Sequence, residues 1–123
     1  MEETPNSQSG RKPYDIRERT FELALRTIRI VGELPRNGPG WRVADQLSRC
    51  GPSVGANVEE ADGAVSKADK RKALIIARKE IRESRYWLRI IDRLWGDRLA
   101  VNADVDEATE ILRILSSIIL KLS

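Results

Sequence analysis

Residues 66–95 read SKADKRKALIIARKEIRESRYWLRIIDRLW, and the fold follows from the apolar spacing in this stretch. Leu74, Ala77, Ile81, Ser84, Leu88, Ile91 and Trp95 recur at alternating steps of three and four. At 100° per residue they share one face, the signature of an amphipathic α-helix. Ser66 with Asp69 three positions on makes a capping sequence, so the helix is expected to run from Lys67 to about Leu94 and to end at Gly96. At 1.5 Å per residue that is about 40 Å, long for a chain of 123 residues.

The flanking sequence repeats the pattern. Upstream, from Trp41 to Ala64, the residues Ala44, Leu47, Gly51, Val54, Val58, Ala61 and Val65 form a nearly strict heptad seam. Small residues crowd it (Ser48, Cys50, Gly51, Ser53, Gly55, Ala56) and invite a neighbouring helix to approach closely. Pro52 removes a backbone donor, which predicts a kink or a local break near Ser48–Pro52. Further upstream a helix starts near Asp15, with Phe21, Ala24, Leu25, Ile28, Val31 and Leu34 as its expected seam, and PRNGPG at 35–40 stops it. Downstream, after the loop GDRLAVNA, the acids of Asp104 to Glu107 suit a helix N-terminus. Ala108, Ile111, Leu112, Leu115, Ile118, Ile119 and Leu122 carry that last seam. No strand pattern and no repeat is present. The expected fold is all-α, an antiparallel up-down-up-down four-helix bundle over residues 14–123, preceded by a flexible tail at 1–13.

Composition bounds the chemistry. The chain has no histidine, so a Ser-His-Asp triad, a Cys-His pair, an HExxH zinc site and a Glu-x-x-His di-iron site are excluded. Its one cysteine, Cys50, makes neither an intrachain disulfide nor a CxxC site, which fits a reducing compartment. Among small neighbours it reads as a buried filler. The polar start MEETPNSQSG has no signal-peptide core, and no apolar run approaches the roughly 20 residues of a membrane span. A cytoplasmic location is expected.

The long helix carries more than a bundle needs. Ile76, Trp87, Ile90 and Leu94 lie about 100–130° from its main seam, where a lone bundle helix is polar. Ile114 and Leu120 likewise fall off the seam of the last helix. Two readings stand: a wide buried stripe within one monomer, or a subunit interface in a homo-oligomer. On another side of the long helix, Arg71, Arg78, Arg82, Arg85 and Arg89 form a ridge, and the helix bears ten basic residues against four acidic. Such a ridge suits the regular phosphates of RNA or DNA. The competing account pairs these arginines with Glu80, Glu83 and Asp92. The spacings Glu59-x-x-Asp62 and Glu80-x-x-Glu83 are a weak signal for Mg²⁺, and no metal or cofactor is expected. Asn57 is expected to be a structural hydrogen-bond node reaching Glu83 or Tyr86.

Several stretches together are specific. They are Tyr14-Asp15-Ile16-Arg17-Glu18-Arg19-Thr20-Phe21, Arg49-Cys50-Gly51-Pro52-Ser53-Val54-Gly55-Ala56-Asn57 with Glu59-Glu60-Ala61, Ser66-Lys67-Ala68-Asp69, and Glu83-Ser84-Arg85-Tyr86-Trp87-Leu88. Over roughly residues 14–95 the chain resembles the four-helix-bundle proteins of 23S rRNA intervening sequences. The resemblance implies a bundle assembled into a ring-shaped pentamer. It also implies kinship with the accessory variability protein of diversity-generating retroelements, which works with a reverse transcriptase and binds nucleic acid through a basic surface. The family has no established catalytic residues, so a non-enzymatic role is expected. Cys50, Pro52, Val58 and Glu59 depart from the family pattern. Glu59 in particular stands where a basic residue is frequent.

Overall fold

The computed structural model describes residues 15–123. It is all-α, with helices α1 (Ile16–Gly32), α2 (Gly38–Gly63), α3 (Lys67–Trp95) and α4 (Asn102–Lys121) and no strand among the described residues. The expected tail at 1–13 lies outside them. Each helix packs on its neighbours in sequence, and α4 closes onto α1, so the four form a bundle in cyclic order.

The seam of α3 is the one expected. Leu74, Ala77, Ile81, Ser84, Leu88 and Ile91 are buried, and Trp95 is half-buried. Ser66 caps the helix by accepting from the Asp69 amide at 3.0 Å. Ser84 is accommodated in the core because its hydroxyl donates to the Glu80 carbonyl, 2.8 Å away. In α4, Ala108, Ile111, Leu115 and Ile119 face the core, with Leu112, Ile118 and Leu122 beside them.

The α2 seam is also as expected from Leu47 to Ala61, with Val65 beyond the helix and fully exposed. Two expectations for α2 are corrected. The helix begins at Gly38, inside the stop sequence, because the Asn37 side chain caps it by accepting from the Gly40 amide at 2.9 Å and Pro39 fits the first turn. It also runs unbroken through Pro52. The carbonyl that Pro52 leaves without a donor belongs to Ser48, which is exposed and open to water.

The seam expected for α1 is corrected more deeply. Phe21 and Ile28 point outward, 57% and 56% exposed. The buried face is Ile16, Arg19, Thr20, Leu23, Thr27 and Ile30. Threonine packs here because each hydroxyl is satisfied within its own helix: Thr20 donates to the Ile16 carbonyl (2.8 Å) and Thr27 to the Ala24 carbonyl (3.0 Å). Their compact side chains then meet Gly51 and Gly55 of α2. A Cβ on Gly51 would lie 2.8 Å from the Thr27 Cβ, and one on Gly55 would lie 3.2 Å from the Thr20 carbonyl oxygen. The α1/α2 contact is therefore a close approach of two backbones, small residue against small residue.

Candidate nucleic-acid and subunit interfaces

Two sets of arginines contrast in their ion pairing. In the first, Arg17, Arg19 and Arg26 of α1 are tied across helices. Arg17 holds Glu59 at 3.1 Å and Asp62 at 3.3 Å. Arg19 grips Glu107 with two bonds of 2.9 and 2.7 Å, and Arg26 grips Asp104 with two of 2.9 and 2.8 Å. Bidentate pairing of this kind is directional as well as attractive. Each of the three guanidiniums is held above its ordinary range, chiefly by the hydrogen bond to its carboxylate. Two carboxylates weighed above as cation ligands, Glu59 and Asp62, are thus occupied by Arg17. Asp104 lies in the first turn of α4, which starts at Asn102, as expected for an acid at a helix N-terminus, and there it is buried against α1.

The second group is on α3. Among the described residues, none of its ten basic side chains forms an ion pair, Arg71, Arg78, Arg82, Arg85 and Arg89 included. The geometry explains why Glu80 and Glu83 do not neutralise the ridge. They lie on the α2 flank of α3, close enough to Cys50 for their charges to act on its thiol. The ridge lies on the α4 flank, where the Arg85 Nε donates to the Thr109 hydroxyl at 2.7 Å. That hydroxyl in turn donates to the Val105 carbonyl, which fixes its lone pair toward the arginine. Arg82 and Arg89 are exposed, while Arg71, Arg78 and Arg85 are half-buried. Arg71 Nε is buried and has no acceptor among the described residues.

The four residues of the expected interface lie next to the ridge, Leu94 and Ile90 sharing a groove with Arg89 and Ile76 one with Arg71. Ile76 and Leu94 are 39% and 59% exposed. Trp87 and Ile90 are half-buried and pack partly on the core. The Trp87 ring stands edge-on to Tyr86 at 5.2 Å, and its Nε1 is buried without a partner among the described residues. Ile90, Leu94 and Tyr86 line a groove of about 560 Å³ that reaches Val105 of α4.

A second apolar surface was missed in the sequence because its residues were assigned to the core. Phe21, Ala24, Pro52, Gly55 and Ala56 line a groove between α1 and α2 of about 190 Å³, closed at one end by Arg17 and Glu59. Ile28 and Trp41, the latter 62% exposed, extend the apolar character of this side.

Cys50 is buried, and burial pushes its thiol up, with the Glu83 and Glu80 charges acting in the same direction; its Sγ donates to the Leu47 carbonyl. Asn57 differs from expectation: its amide donates to the Ser53 carbonyl of its own helix at 2.8 Å, a local bond on α2. No helix among the described residues is long and apolar enough to cross a membrane.

A family profile described as 23S rRNA-intervening sequence protein matches residues 12–118. Among solved structures, a protein of unknown function from the S23 ribosomal protein family of Bacteroides thetaiotaomicron is similar. It shares 32% identity at a TM-score of 0.77, covering 88% of this chain and 98% of that one. No curated protein sequence matches the chain.

Proposed function

Because the chain belongs to the 23S rRNA-intervening sequence protein family, we propose that it is a non-enzymatic, oligomeric accessory protein that binds RNA or DNA through α3. In this reading the bundle has up-down-up-down order and assembles into a ring, a homopentamer as the family resemblance implies. Ile76, Trp87, Ile90 and Leu94 contribute to the subunit interface. The protein works in the cytoplasm beside a nucleic-acid enzyme such as a reverse transcriptase.

One observation carries the binding reading. The five arginines Arg71, Arg78, Arg82, Arg85 and Arg89 have no carboxylate partner among the described residues, whereas Arg17, Arg19 and Arg26 all do. From Arg71 to Arg89 the ridge is about 27 Å long, enough to meet several successive phosphates. Recognition is chiefly of the backbone, with exposed Tyr86, which shares a groove with Arg89, as an aromatic ring beside the ridge.

Fluorescence anisotropy with labelled single-stranded RNA and duplex DNA at about 50 mM salt tests this. The wild type should bind both, and Arg82→Ala/Arg89→Ala should weaken binding alike on every sequence. Arg113→Ala removes a charge elsewhere, on an exposed α4 residue beside Glu110, and should change little. No binding by the wild type would leave a ring that serves only as a protein scaffold.

A further inference from the structure

The groove between α3 and α4 holds a set of side chains that phosphate binding alone does not use. We propose that it is a base-binding subsite, in which one base of a single-stranded nucleic acid stacks on Tyr86 while arginines of the ridge hold the phosphates to either side. The inference rests on the nucleic-acid reading above and deepens it by naming the single strand as the substrate class.

Shape is the first support. Tyr86, Arg89, Ile90, Arg93 and Leu94 recur at helical spacing and form one stripe of α3. With Asp92 and with Val105 of α4 they line the groove of about 560 Å³. Sites for small molecules typically span roughly 300–1,000 Å³. Tyr86, Arg89, Arg93 and Leu94 are exposed, so the groove opens at the surface. The Tyr86 ring is 56% exposed and is braced by the Trp87 ring, 5.2 Å away and turned by 78°. A braced, exposed ring is a platform on which a base stacks at small entropic cost.

The chemistry of the lining is the second support, and it selects the occupant. Ile90, Leu94 and Val105 suit the face of a flat ring and not a hydrated phosphate. Arg89 and Arg93 form no ion pair among the described residues and call for an anion. Half-buried Asp92 also lines the groove without an ion pair, and a carboxylate only accepts. A fatty acid brings a carboxylate to the arginines but no donor to Asp92. A nucleotide satisfies all three: phosphate oxygens for the arginines, a π face for Tyr86 and, at the base edge, N–H groups for Asp92.

The preference for a single strand follows from the register. Arg82 and Arg89 stand one turn to either side of Tyr86, about 6 and 4.5 Å along the helix axis. A strand that follows the ridge therefore has a phosphate on each side of the ring, with the base between them turned toward the groove. In a duplex each base is paired and stacked on its neighbours, its face is closed to Tyr86, and the ridge meets the backbone alone. Duplex and single strand share the arginines, and only the single strand gains the stack.

The test titrates the full chain into three labelled probes and follows anisotropy: a single-stranded DNA, the same strand paired with its complement, and inorganic polyphosphate, which carries the charge without a base. Tyr86→Ala should weaken single-strand binding about tenfold, the scale of one lost base–aromatic stack. The salt slope should stay that of the wild type, because stacking releases no counterion. Tyr86→Phe keeps the ring and should recover the lost affinity. On duplex and polyphosphate the Tyr86→Ala loss should be less than about twofold, since neither offers an open base face. No loss on the single strand, or an equal loss on all three probes as a change in assembly would give, overturns the subsite while the ridge stands. A wild type that binds none of the three removes the nucleic-acid reading on which the inference rests. Should Tyr86→Ala fail to fold, irradiating the wild type with a single strand that carries 5-iodouracil decides the matter. The crosslink should map to Tyr86, and a crosslink confined to other residues overturns the subsite.

Discussion

Replacing Gly51 with alanine tests the close approach of α1 and α2. On helix propensity alone the change should stabilise α2 by about 1 kcal/mol, since glycine is the worse helix former. The neighbour reverses the sign. The new Cβ would stand 2.8 Å from the Thr27 Cβ and 2.9 Å from its Cγ2, and closer still to the hydroxyl. Thr27 is completely buried and its hydroxyl is bonded to Ala24, so it has no free rotamer to retreat into. The helices must part by several tenths of an ångström, and overpacking of this kind costs about 1–3 kcal/mol. The expected balance is a net loss of about 1 kcal/mol for Gly51→Ala and several for Gly51→Val. On a domain of this size 1 kcal/mol corresponds to a Tm shift of roughly 4 °C. Thermal unfolding followed by circular dichroism at fixed protein concentration reads it, with Gly63→Ala as control because nothing lies within 4 Å of a Cβ there. A Gly51→Ala variant with a higher Tm than wild type would refute the close-packing account of this seam.

Other expectations follow from the same geometry. If the five α3 arginines each neutralise one phosphate, the log–log salt slope per subunit should be about −4.5 on duplex DNA and −3.5 on single strands, and each Arg→Ala at a contact should reduce it by about one. Glu107→Leu strands the Arg19 cation in a largely buried place and should cost about 3 kcal/mol in urea unfolding, while Arg19→Met/Glu107→Leu should recover most of it. Because burial raises the Cys50 thiol, the folded protein should resist alkylation by iodoacetamide at neutral pH and react after unfolding; rapid modification of the native chain would contradict its position.

The parts of the fold legible in the sequence were those where polarity and burial agree. Along α3 every buried residue but Ser84 is apolar, so periodicity alone found the core face. Along α1 they disagree. Thr20, Thr27 and Arg19 are buried because their polar atoms find partners in Ile16, Ala24 and Glu107, whereas Phe21 and Ile28 face outward. A hydropathy pattern weighs none of those partners and chose the wrong side. The candidate interfaces divide in the same way. Five arginines and an off-seam apolar row are visible as spacing, but whether a charge is paired depends on which flank of a helix meets which neighbour. Glu80 and Glu83 look like partners of the ridge in one dimension, yet in three dimensions neither forms an ion pair with it among the described residues.

That division of flanks lets one helix serve two surfaces. The core face of α3 looks inward, its outer side presents Ile76 and Leu94, and its α4 flank presents the arginine ridge anchored at Thr109. The apolar row and the ridge adjoin at both ends of the helix, where Leu94 shares a groove with Arg89 and Ile76 shares one with Arg71. The ion pairs of α1 contribute to this arrangement indirectly. They pair Glu59, Asp62, Asp104 and Glu107 with α1 cations, so that these four carboxylates add little negative field around the bundle. If that account is right, Arg26→Ala, which leaves Asp104 unpaired on the α1 side of α4, should weaken nucleic-acid binding without touching the ridge. Anisotropy at low salt would show the loss, and Asp104→Asn added to Arg26→Ala should restore affinity. An Arg26→Ala protein that is folded and binds as wild type would mean that the ridge does not depend on carboxylates being sequestered elsewhere in the bundle.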